Sequence, residues 1–67
     1  MQLEDIRVGT KVMIVKDGSP HRFKAATVLS THDDYTGSNV HIRIVLEEGP
    51  NTGLVLGGLQ PEHLDFE

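Results

Sequence analysis

The stretch Val40-His41-Ile42-Arg43-Ile44-Val45-Leu46 decides the fold class of this 67-residue chain. Val40, Ile42, Ile44 and Leu46 fall on one side, His41 and Arg43 on the other. A period of two with one apolar face is the pattern of a half-buried β-strand. Upstream, Lys11-Val12-Met13-Ile14-Val15-Lys16 is short, β-branched and bounded by turns, which favours a second strand over a helix. Lys16-Asp17-Gly18-Ser19-Pro20 closes it with concentrated turn chemistry.

Between these two segments a strand is expected over residues 22–31. It carries apolar groups on both faces, with Phe23, Ala25, Thr27 and Leu29 against Ala26, Val28 and Ser30. That mixture suits a strand that bends. A helix over residues 23–29 is the competing reading, weakened by the pair Thr27-Val28 and by the lack of caps. Residues 32–39 read as a polar loop. Beyond the turn at Glu47-Glu48-Gly49-Pro50-Asn51-Thr52-Gly53, Leu54-Val55-Leu56 reads as a short strand ended by Gly57-Gly58. Pro61 suits the first position of a helical turn, where its missing N–H leaves nothing unpaired. Leu64 and Phe66 then enter a last short strand. Five short strands without a long helix predict an all-β domain spanning residues 1–67. At this length a small barrel is the expected form, because closure removes exposed strand edges.

Composition narrows the function classes. A chain this short hides only roughly 60% of the surface that its unfolded form exposes, so few side chains can be spared from packing. There is no cysteine, which excludes a disulfide framework and any cysteine-containing zinc site. No apolar run approaches the roughly 20 residues that span a bilayer, and the first residues lack the basic and apolar regions of a secretory signal. The expectation is a soluble, cytoplasmic protein without membrane contact. Six Lys and Arg against ten Asp and Glu give a net charge of −4, which argues against phosphate-driven nucleic-acid binding.

Three stretches resemble the SH3-like barrels of the Tudor and KOW type. Gly9-Thr10-Lys11-Val12-Met13-Ile14 is similar to their opening strand. Phe23-Lys24-Ala25-Ala26-Thr27-Val28 is similar to a Tudor pattern of an aromatic followed by Ala and Val. Leu59-Gln60-Pro61-Glu62-His63-Leu64 is similar to the helical turn that joins their last two strands. The resemblance implies a five-stranded SH3-like barrel with a short helical turn before the last strand, and both Leu59 and Leu64 in its core. Tudor-type readers of methylated side chains use an aromatic cage. Here only Phe23, Tyr35 and Phe66 are aromatic, and Phe23 and Phe66 are assigned to the core, so no full cage can be assembled.

No catalytic constellation emerges. His32 with Asp33 and Asp34 could ligate a metal, but His21, His41 and His63 fall in separate segments without ligand spacing. Gly57-Gly58 lacks the Lys-Ser or Lys-Thr of a phosphate loop. The expectation is no enzyme, no metal and no cofactor. What stands out is an excess of apolar residues: with Val12, Ile14, Ile42 and Ile44 inward, Met13, Val15, Val45 and Val55 point outward. Exposed apolar patches mark interfaces, and Asp33, Asp34 and Tyr35 combine carboxylates with an aromatic in one loop. These seven residues are the candidate partner-binding set. The function expected is a protein-interaction module, binding another protein or itself, as an accessory subunit or a small viral modulator of a host factor. The alternative is a nucleic-acid or ribonucleoprotein adaptor with contacts from Lys11, Lys16, Arg22, Lys24 and Arg43.

Overall fold

The computed structural model describes residues 1–33 and 40–67. Its strands are β1 (Lys11–Ile14), β2 (Ala25–Asp33), β3 (Val40–Leu46), β4 (Val55–Leu59) and β5 (Leu64–Phe66), with short 3-10 turns at Leu3–Asp5 and Pro61–His63. The strands form one antiparallel sheet in the order β4-β3-β2-β1-β5. The all-β expectation therefore stands, and so does the alternation of β3. Ile42 and Ile44 are fully buried and Leu46 nearly so, whereas His41 and Arg43 are exposed.

All five strands and the lead-in residue Ile6 contribute to one apolar cluster: Val12 and Ile14, Ala26 and Val28, Ile42, Ile44 and Leu46, Leu59, and Leu64. None of them is more than 5% exposed. A flat single layer cannot shield one face that well, so the sheet must curl around its own side chains. Curl stands in for the expected closure. The barrel is not formed, because β4 and β5 remain the two edges of the sheet. β5 is only three residues long and, among the described residues, pairs on one side alone, with β1, so no ladder joins it back to β4. The turn Pro61–His63 hands β5 to β1, where Leu64 pairs with Ile14 and the Val15 N–H donates to the His63 carbonyl at 2.8 Å. Within the turn, His63 Nδ1 accepts the Gln60 N–H at 3.0 Å.

Two bulges set the local phase. β2 shifts register between Val28 and Ser30 against β3, so inward Val28 is followed by Ser30 opposite exposed Arg43. This explains the mixed faces of residues 22–31: Leu29 is the extra residue and is 43% exposed. The second bulge corrects an expectation. Gly57 and Gly58 do not end β4 but lie inside it, where three steps from Leu56 to Leu59 oppose two from Ile44 to Ile42. Gly58 has φ +71°, a left-handed conformation that suits glycine.

Candidate interaction surface

The outer face of the sheet is built by the pairing register. Val45 lies directly opposite Val55 on β4 and opposite Thr27 on β2, and Thr27 lies opposite Lys11 on β1. Met13 lies opposite Ala25, two residues from Thr27 along β2. Directly opposed residues share a face. Met13, Val45 and Val55 therefore belong to one surface, with Ala25 and Thr27 between them. Val55 is 52% exposed, and Met13 and Val45 are partly so. Val15 lies just past β1, partly exposed, with its N–H turned to the 3-10 turn. The strands thus bring together three of the expected residues, while Val15 sits at the margin.

Asp33 is the last residue of β2, paired with Val40. Asp34 and Tyr35, with the rest of residues 34–39, lie outside the described residues. The expected loop over 32–39 is shortened by two residues, because His32 and Asp33 extend the β2–β3 ladder opposite His41 and Val40.

Both aromatic side chains assigned to the core are on the surface. Phe66 lies opposite buried Val12, but on an edge strand with no further strand beyond it among the described residues, and it is 61% exposed. Phe23 is 59% exposed. Its N–H donates to the Ile14 carbonyl at 2.7 Å while the Ile14 N–H donates to the Lys24 carbonyl at 3.1 Å. Two residues thus oppose one, as in a bulge whose first residue is left-handed. Phe23 meets that demand with φ +68°, the one described non-glycine residue with positive φ. The Lys24 N–H also returns to the His21 carbonyl at 3.1 Å, placing Phe23 third in a tight turn, where type II turns call for glycine.

Arg22 covers this ring. Its guanidinium carbon sits 4.7 Å from the Phe23 centroid, and Nη2 lies 3.2 Å from Asp17 Oδ1. The ion pair is solvent-exposed and contributes at most about 1 kcal/mol. No residue type in the sequence marks the Asp17–Arg22–Phe23 cluster, because no glycine announces the positive φ there.

Depressions among the described residues include two of note. One of about 440 Å³ is lined by Ser30, Thr31, His41 and Arg43, none of them buried. The other, about 390 Å³, runs between the β1–β2 connection and β4, and Lys16, His21, Leu56, Gly57 and Leu59 are among its lining residues. Gly57-Gly58 was its signal in the sequence: a glycine inside a strand marks a bulge or a close backbone approach. Among the described residues, no cluster of three or more His, Asp or Glu side chains is placed to hold a metal ion, and no helix is long and apolar enough to cross a membrane. No protein-family model, curated protein or solved structure matches this chain.

Proposed function

We propose that the chain is a non-enzymatic interaction module that binds another protein through the outer face of its sheet. The observation that carries this reading is the register that gathers Met13, Val45 and Val55 on one partly exposed surface. Covering such side chains contributes roughly 25 cal/mol per Å² of apolar area. Asp33, Asp34 and Tyr35 belong to the proposed binding set as well, on the strength of their residue types: two carboxylates and an aromatic. The kinship proposed is with open relatives of the SH3-like fold. Five strands, a helical turn before the last one, and Leu59 and Leu64 both in the core support it. Cytoplasmic residence is part of the proposal, and the absence of cysteine is compatible with it. An accessory subunit and a viral modulator of a host protein fit these features equally.

Affinity capture from source lysate, with and without nuclease and read by mass spectrometry, tests the reading. A nuclease-resistant protein partner near unit stoichiometry, lost with Val55→Lys, is the expected result. A strict monomer that recovers no protein would end it. Capture that vanishes with nuclease would replace it with the nucleic-acid adaptor.

A further inference from the structure

The two edges of the sheet are built differently. β5 is three residues long, carries Asp65 in its middle and Glu67 just after it, and has its Leu64 carbonyl taken by the Met1 nitrogen at 2.7 Å. Short length, charge and coverage are the usual means of keeping an edge from pairing. β4 is five residues long and reads Val55-Leu56-Gly57-Gly58-Leu59, without a charge or a proline. Among the described residues, it pairs only with β3. Its bulge at the glycines is, among the described residues, the one protective device present. Those same glycines leave the backbone open: a Cβ on Gly58 would meet nothing within 4 Å, and one on Gly57 only the Arg43 side chain at 3.6 Å.

The groove of about 390 Å³ borders this strand. Its floor is apolar, from half-buried Leu56 and buried Leu59, and its opposite wall is the β1–β2 connection. On that wall Asp17 is engaged by Arg22 at 3.2 Å, whereas Lys16 has no ion-pair partner among the described residues. The local charge is thus positive in a chain whose net charge is −4. The wall is propped by the strained Phe23, whose ring carries the Arg22 guanidinium that holds Asp17. A bulky residue kept at positive φ without entering the core is strain that the surrounding structure must sustain, and such strain concentrates at binding sites.

We propose that the free edge of β4 receives an extended segment of a partner protein as an added strand, with an apolar side chain over Leu56 and Leu59 and a carboxylate facing Lys16. The proposal rests on the interaction-module reading and adds its mode and chemistry. In strand addition the main chain supplies affinity and alternate side chains supply selectivity. A groove walled by a loop on one side accepts a single extended segment more readily than the edge of a second sheet.

The test is a titration of the isotope-labelled full chain with a capped hexapeptide alternating valine and threonine around one glutamate, followed by amide NMR. Saturable shifts centred on residues 55–59 are expected. N-methylating alternate peptide residues should weaken binding about tenfold or more, because it removes main-chain donors. Replacing the glutamate by lysine should weaken it about threefold, and Lys16→Glu should reverse that preference. Gly57→Val, at a position whose φ is not left-handed and where a Cβ makes ordinary contacts, should keep the fold and lose the peptide. Shifts on another surface, indifference to N-methylation, or no shift at about millimolar peptide would overturn the inference. So would a concentration-dependent doubling of mass that Gly57→Val abolishes, which would make the occupant a second copy. A lysate partner that survives Gly57→Val but not Val55→Lys would sink this mode alone, whereas no partner for the parent chain would sink the module reading as well.

Discussion

On β3 the two faces of the sheet lie one residue apart and have opposite tolerances. Ile42, Ile44 and Leu46 are at most 1% exposed, and they touch the one apolar cluster that the molecule has among its described residues. His41 and Arg43 on the other face are exposed, and Val45 is partly so between Thr27 and Val55. The inner face has no reserve, because a chain of this size buries only one thin set of side chains. The outer face bears little of the stability and is free to carry recognition.

The sharpest way to break that contrast is to charge both sides. Ile42→Asp or Val28→Asp places an unpaired carboxylate among apolar neighbours and should cost more than about 4 kcal/mol, enough to unfold the domain. Either variant melting like the parent, by circular dichroism, would overturn the assignment of faces. A smaller effect is expected where backbone geometry rather than burial decides. Gly58→Ala should cost about 1–2 kcal/mol in chemical denaturation, since φ +71° is strained for any residue with a Cβ. Unchanged stability would mean that the β4 bulge relaxes.

His63→Ala removes the acceptor of the Gln60 N–H and should cost about 1 kcal/mol, as losses of capping interactions do. A loss below the error of denaturant titration would place that N–H in water instead. The smallest changes belong to the surface. Val55→Lys should alter stability by less than about 0.5 kcal/mol. Phe23→Gly should also stay within about 1 kcal/mol, because relief of left-handed strain offsets the lost contact with Arg22 and the added freedom of the unfolded chain. A large loss from Phe23→Gly would show that the ring is packed rather than displayed.

Much of the architecture was legible in particular residues. The period of two in Val40–Leu46 located β3 and its inner face. Pro61 marked the 3-10 turn, and Leu59 and Leu64 marked its two core anchors. Of the candidate surface, Met13, Val45 and Val55 followed from alternation alone, but their adjacency did not, since register is set by partners distant in sequence. The aromatics were misplaced for a related reason. Hydrophobicity assigns Phe23 and Phe66 inward, yet one occupies a left-handed bulge and the other an edge strand. Gly57-Gly58 looked like the end of a strand because a glycine pair reads alike in a turn and in a bulge.

The residues by themselves determined that this chain is all-β and which side of β3 faces the core, because alternation and turn chemistry are local properties. Only the tertiary structure decided that the sheet curls without closing, that Phe23 and Phe66 stand outside, and that, among the described residues, the Met1 nitrogen covers part of the β5 edge and β4 pairs with β3 alone. Each of those outcomes depends on which strand lies beside which, and pairing across the sheet is fixed by contacts between residues far apart in the chain.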